Sequence, residues 1–263
     1  MASQPPANLP LFYKNLMPLS SSLHAGFKTR ANDAAPYFAN AHAIPITVDE
    51  FVAAQRSFPI VFSTGDNPVP LGLMGLNEGV NVFVDEDGRA RDPFYVPAYV
   101  RRYPYVLARI QQDTQELSLC FDPESDLIGD FDDGTPVFDD GKPTENLNNI
   151  LKFCEDFEVA GQRTTAFMKE LAELDLLIDG EVSIQPNEAP QPFIYRGFRM
   201  VDEKKFRELG ADTLLKINQN GILPLIVAHL FSLSLVREIF ARQLAQGKVP
   251  QQQPAAAPAT ADA

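Results

Sequence analysis

Tryptophan is absent from the chain, cysteine occurs twice and histidine three times. Cys120 and Cys154 stand far apart and form no C-x-x-C, which gives no support to a zinc knuckle or a redox dithiol. Two buried free thiols in a reducing compartment are expected instead. His24, His42 and His229 never fall within one helical turn of each other, so a histidine-based metal site or a Ser-His-Asp triad lacks its usual parts. No G-x-S-x-G nucleophile elbow is present. His229, inside an apolar segment and three residues before Ser232, is expected to be a satisfied core histidine.

Cations are also short: 22 Lys+Arg stand against 35 Asp+Glu, a formal net charge of -13. That balance repels phosphate backbones, and only short basic pairs occur, so nucleic acid is excluded as a partner. The longest apolar stretch, "ILPLIVAHLFSLSLV" from Ile222 to Val236, falls short of the roughly 20 residues of a spanning helix and contains Pro224, His229, Ser232 and Ser234. It reads as a buried helix rather than a membrane span. The opening "MASQPPANLPLFYKN" lacks a basic start followed by an apolar run, so no signal peptide is read and cytoplasmic residence is expected.

Two suggestive segments carry little chemistry. Gly72, Gly75 and Gly79 in "GLMGLNEG" fit neither G-x-G-x-x-G nor a P-loop, and tight strand packing or bulges account for them. The acidic "DPESDLIGDFDDGTPVFDDG", Asp122 to Gly141, does not match a calcium loop: its fifth ligand position falls on Gly134 and no glutamate closes it. A solvated acidic loop is expected, with no metal and no cofactor.

With 45% hydrophobic and 22% charged residues, the composition is that of a globular protein able to bury a core. "TVDEFVAAQRSF" predicts a helix, with Thr47 and Glu50 at capping-box spacing. "FPIVFS" predicts a strand. The period of two through "VPLGLMGLNEGVNVFVDEDGRARDPF" predicts strands folded at the "DEDG" turn, with Gly88 at positive φ. "YVLARI" and "ELSLCFD" add two more strands, so an antiparallel sheet of about four or five is expected.

From Thr144, a plausible N-cap, the period changes. Leu147, Cys154, Gly161 and Met168 recur every seven residues, as do Ile150, Phe157, Thr164 and Leu171, predicting one long helix or two broken near Gly161. "PFIYRGFRMVD" reads as strand-like, Asp202 as a cap for "EKKFRELG", and Ile222 to Leu244 as a last helix. The fold class is therefore α+β: an antiparallel sheet in the N-terminal half packed on a helical C-terminal half. A single domain over 11–246 is expected, followed by a disordered Pro/Ala/Gln tail over 247–263.

The richest chemistry lies in "DPFYVPAYVRRYPYVL", Asp92 to Leu107, with four of the chain's seven tyrosines and two adjacent arginines. Pro97 suits a first helical turn and Pro104 ends one, so "PAYVRRY" predicts two turns. Tyr95, Tyr99 and Tyr103 are spaced by four and would share a face, with Arg102 beside it and Arg101 pointing away. Arg102 is then either a structural clamp onto a carboxylate between the hairpin and the acidic loop, or an anchor for a ligand. The candidate ligand-binding set is Tyr95, Tyr99, Arg101, Arg102 and Tyr103. An anionic small molecule, a sugar or a peptide carboxylate suits an arginine among phenols. No catalytic residue stands out.

"PVPLGLMGLNEGVNVFVDEDG", "YVPAYVRRYPYVL", "ELSLCFD", "DDGKPTENL", "GFRMVDEKKFRELG" and "NGILPLIVAHLFSL", in that order, resemble the bacterial SapC family over roughly Leu11 to Leu244. The family is named from a gene of a bacterial surface-layer locus. The resemblance implies a bacterial origin and a link to cell-envelope, surface-layer or nutrient-uptake physiology, and it brings no catalytic residue with it. It fits a non-catalytic accessory or binding protein, or a scaffold with a protein partner. Family members are commonly encoded near outer-membrane receptors and flavin-dependent tryptophan halogenases, which implies the alternative: a small-molecule enzyme acting with a flavin-dependent halogenase-type partner.

Overall fold

A computed structural model describes residues 9–31, 33–110, 116–185 and 191–248. Antiparallel sheets occupy mainly the N-terminal half and helices mainly the C-terminal half, so the chain is α+β as its periodicities predict. Contacts gather it into two compact units: residues 1–40, 46–50 and 83–165 form one, and 41–45, 51–82 and 166–263 the other. The predicted tail lies outside the described residues from Val249 onward.

In the first unit, strand Ser118–Phe121 sits between Met17–Pro18 and Tyr105–Ala108, with Tyr105 opposite Phe121 and Val106 opposite Cys120. A second small sheet places Lys28–Thr29 between Ile128–Gly129 and Thr135–Pro136. The acidic segment is therefore partly strand rather than a plain loop. Its Asp122 is wholly buried, and Asp133 pairs with Arg30. Tyr105, Phe121, Ile128 and Cys154 form a core cluster, with Ile150 and Phe27 packed against it.

The predicted hairpin is present but short. Val84 and Ala90 form an isolated bridge, and Gly88 has φ +79. A Cβ at Gly88 would come within 2.2 Å of the Ala35 carbonyl carbon, while Ala35 N–H donates to the Gly88 carbonyl at 3.0 Å. Both the positive φ and the close approach demand glycine here.

Thr144 caps the long helix Glu145–Glu173: its Oγ1 accepts from Leu147 N–H at 3.3 Å and donates to the Pro136 carbonyl. The helix runs unbroken through Gly161, and Leu147, Cys154, Thr164, Met168 and Leu171 of the two predicted seven-residue series are buried. The helix expected from Thr47 is shorter than predicted, a 3₁₀ turn Val48–Glu50 followed by Phe51–Ala54.

The second unit holds one five-stranded antiparallel sheet, in the order Leu177–Asp179, Arg199–Val201, Ile60–Phe62, Pro70–Leu73, Ala43–Pro45. The four or five strands expected from the N-terminal half alone do not form one sheet, because two of the five come from the later half. The glycine-rich run is a packing feature, since a Cβ on Gly72 would lie 2.4 Å from the Phe58 ring. Asp202 caps Glu203–Arg207 by accepting from Lys204 and Lys205 N–H, as its position predicts.

His229 is a satisfied core residue. Its Nε2 accepts from Val201 N–H at 3.1 Å, so Nδ1 carries the proton and donates to the Ile60 carbonyl at 2.8 Å. Ser232 Oγ accepts from Ile60 N–H and donates to the His229 carbonyl. Helices Ile222–Ser232 and Val236–Ala245, joined by a 3₁₀ turn, make a 24-residue run containing an 18-residue window of mean hydropathy 1.7, long and apolar enough by composition to cross a membrane. That run is longer than the stretch Ile222 to Val236 taken from the sequence. Within this unit its His229, Ser232 and Gln243 are fully buried.

Candidate functional site

All the residues of the tyrosine-arginine segment belong to the first unit. Pro97 is the N-cap of a single turn, Ala98–Arg101, rather than the first residue of two turns. Tyr95 precedes that turn and Tyr103 follows it, so the three tyrosines do not line one helical face. The turn stops before Pro104, which has no N–H and disfavours helical backbone at the residue before it; Glu50, buried and distant in sequence, caps its first N–H, that of Ala98.

The Glu50 carboxylate has four donors. Oε2 accepts from Thr47 N–H at 2.8 Å and from Thr47 Oγ1 at 3.0 Å. Oε1 accepts from Ala98 N–H at 2.6 Å and from the Tyr95 hydroxyl at 3.2 Å. The first pair is half of the predicted capping box. The second gives the same side chain a role that its spacing from Thr47 does not reveal, as the support of the segment carrying the arginines.

Arg102 is only 6% exposed. Its guanidinium carbon lies 4.3 Å from the ring centroids of both Tyr99 and Phe157, one ring from the short turn and the other from the long helix. Nη1 stands 3.8 Å from Glu158 Oε1. Arg102 lies beside Tyr99, as their spacing predicts. The predicted clamp partner is corrected, because the carboxylate belongs to the long helix and not to the acidic segment, and a single long contact is not a bidentate clamp. Arg101 is exposed, with Nε donating to the Val96 carbonyl at 3.1 Å and Nη2 to the Tyr95 hydroxyl at 3.3 Å.

The phenols are held as neutral donors. Burial raises the pKa of Tyr95, Tyr99 and Tyr103, with Arg102 opposing the rise at Tyr99. Burial likewise pushes Tyr37 up to about 12. Tyr99 donates to the Leu11 carbonyl at 3.3 Å and Tyr103 to Asp122 Oδ2 at 3.4 Å. Asp122 also accepts from Lys14 N–H at 2.8 Å and from Glu124 N–H at 3.0 Å, which makes it a structural acceptor.

An aromatic cluster surrounds these groups. Tyr37 and Tyr103 rings lie 4.1 Å apart, and Phe12 packs edge-on against Tyr37 at 5.3 Å and Tyr99 at 5.8 Å. Phe12 has φ +81, a conformation that costs a bulky residue roughly 1–2 kcal/mol and that these ring contacts hold in place. Beside the cluster is a cavity of ≈ 340 Å³ whose wall includes Tyr37, Phe38, Phe94, Arg101, Tyr103 and Arg30. Arg30 lies over the Phe131 ring at 3.7 Å.

Of the five residues singled out in the sequence, Arg101 and Tyr103 reach this cavity, Arg102 sits buried behind it, and Tyr95 and Tyr99 line none of it. No local pattern points to Tyr37, Phe12 or Phe157 as their neighbours. Only Glu50 carried a signal, through its spacing from Thr47. Among the described residues, no group of three or more His, Cys, Asp or Glu side chains could hold a metal ion.

The SapC family model matches residues 19–239. The chain belongs to the SapC family. No curated protein and no solved structure matches it. The SapC match spans Glu50, Tyr95 to Tyr105 and Phe157, and leaves Phe12 and Tyr13 outside it.

Proposed function

We propose that this SapC-family chain is a non-catalytic accessory or binding protein that holds an anionic small molecule, a sugar or a peptide in the aromatic cavity. The observation that carries it is the placing of Arg101, Arg30 and Tyr103 on the wall of a ≈ 340 Å³ cavity that also holds one carboxylate, Asp33, among Tyr37, Phe38, Phe94 and smaller apolar residues. A cavity of that size, apolar with a few polar groups, suits a small ligand. The phenols nearby have their pKa values raised by burial, so at neutral pH they donate hydrogen bonds and do not act as bases. Membership of a family named from a surface-layer locus supports reading that ligand within cell-envelope or nutrient-uptake physiology.

Native mass spectrometry of freshly purified protein, followed by thermal melts with panels of aromatic anions, sugars and peptides, tests this. Binding that raises the melting temperature, and that Ala90→Trp at the exposed cavity wall abolishes, is the expected result. A co-purifying flavin or other redox cofactor would overturn it in favour of an enzyme.

A further inference from the structure

Two buried polar atoms of the first unit, Arg102 Nε and the Tyr105 hydroxyl, meet no hydrogen-bond partner. Both residues line one second cavity of ≈ 260 Å³, which shares Arg101 and Tyr103 with the aromatic cavity and is completed by Ile150, Phe153, Cys154 and two asparagines of the long helix. A buried donor left unpaired costs the native state its desolvation, and such groups in folded proteins normally have partners. A phenylalanine at 105 would fill the same space without that cost.

The guanidinium carbon lies 4.3 Å from the ring centroids of Tyr99 and Phe157, which are themselves 6.2 Å apart and so approach it at about a right angle to one another, and Nη1 is the atom nearest Glu158. Nη1 is the nitrogen on the Cδ side of the group. On the other edge the unpaired Nε–H runs parallel to an N–H of Nη2, the fork that matches the two oxygens of a carboxylate.

The Tyr105 phenol has its pKa raised by burial and stays a donor, while burial pushes the Cys154 thiol up to about 11, so no thiolate competes with an anion there. Glu158 already offsets part of the arginine's charge. A singly charged headgroup is balanced by what remains; a doubly charged phosphate is not.

We propose that this second cavity is a carboxylate site, in which the Nε/Nη2 edge of Arg102 receives the two oxygens of a small monocarboxylate and Tyr105 donates to the same headgroup. The hydrocarbon body of the acid lies against Ile150, Phe153 and Cys154. The site is distinct from the aromatic cavity and stands or falls separately from it.

The test is isothermal titration of the full-length protein with sodium propionate, sodium benzoate and inorganic phosphate. The monocarboxylates should bind at least about tenfold more tightly than phosphate. Tyr105→Phe should weaken them by about tenfold without lowering the stability of the unliganded protein, and Ala90→Trp should leave their affinity unchanged. Arg102→Lys keeps the charge and removes the fork, so it should weaken binding too; Tyr105→Phe is decisive if that variant fails to fold.

No binding of either carboxylate up to about 10 mM would overturn the site. Binding that Tyr105→Phe leaves intact would overturn it as well. If Ala90→Trp alone abolished binding, the carboxylate would belong to the aromatic cavity, overturning this site while the functional proposal above stood.

Discussion

The guanidinium of Arg102 lies in the corner formed by the rings of Tyr99 and Phe157, 4.3 Å from each centroid. Residues 99 and 102 are neighbours in sequence, but Phe157 comes from the long helix, so this one side chain ties the short turn Ala98–Arg101 to that helix. A planar, weakly hydrated guanidinium packs against two rings at once; an ammonium on a flexible stem fills that corner less well.

Arg102→Lys should therefore destabilise the protein by about 2 kcal/mol, since desolvated contacts with two rings are lost. Arg101→Lys, exposed and holding only the Val96 carbonyl and the Tyr95 hydroxyl, should change stability by less than about 0.5 kcal/mol. Urea denaturation of both variants decides the matter. Equal losses would show that the two arginines are equivalent, contrary to their burial.

Glu50→Gln should cost about 2 kcal/mol. The carboxylate accepts from Thr47, Tyr95 and the Ala98 N–H, and an amide must turn its NH₂ toward donors on one side or the other. The loss should be accompanied by loosening of residues 95–102, read as faster amide exchange there, because Glu50 is what holds that turn. Unchanged exchange at Ala98 would refute the role.

Gly88→Ala should be destabilising by at least about 2 kcal/mol, from the positive φ and from a Cβ that meets the Ala35 backbone at 2.2 Å. Gly79, also at positive φ but with open space around it, provides the comparison: Gly79→Ala should cost only the conformational strain, about 1 kcal/mol. Thermal melts of the two variants that came out equal would remove the close approach at Ala35 as a cause.

His229 sets a pH window. Burial lowers its pKa to about 4, below the ordinary value of 6.5, so between these two the unfolded chain binds the proton and the folded chain does not. Its contribution is complete above pH 6.5 and is lost as the pH falls toward 4, to an extent of about 3 kcal/mol. The protonated ring would also lose the bond that Nε2 accepts from Val201 N–H. His42, whose pKa burial lowers as well, acts in the same direction, so the measurement is the difference in pH slope between wild type and His229→Gln. The variant should be less stable at pH 7 and show a flatter decline from pH 6.5 to 4; an unchanged slope would contradict the assignment.

The features legible in the sequence are those whose physics is complete within a few residues. Thr144 and Asp202 cap helices because their oxygens reach N–H groups two or three residues on. Gly88 turns the hairpin because its own φ demands it. The seven-residue repeat of Leu147, Cys154, Met168 and its companions places a buried stripe on one long helix. His229 reads as a core histidine from the apolar run around it. The α+β class follows from these periods, since a period of two and a period near 3.6 cannot be satisfied by the same backbone.

What the fold alone decided are the pairings between residues far apart in the chain. The strands Leu177–Asp179 and Arg199–Val201 join Ile60–Phe62 in one sheet, which no local pattern announces, because a strand's alternation says which face is buried and not which neighbour it takes. The single turn found where two were expected over "PAYVRRY" is anchored by the Glu50 carboxylate, which accepts from the Ala98 N–H and the Tyr95 hydroxyl across 48 and 45 residues. Phe157 meets Arg102, and Phe12 meets Tyr37 and Tyr99, only once the elements that carry them have packed. Composition and spacing thus determined which side chains were available for a site. Long-range burial and hydrogen bonding, whose loop-closure cost no local sequence pattern registers, decided which of them face a cavity and which are spent holding its walls.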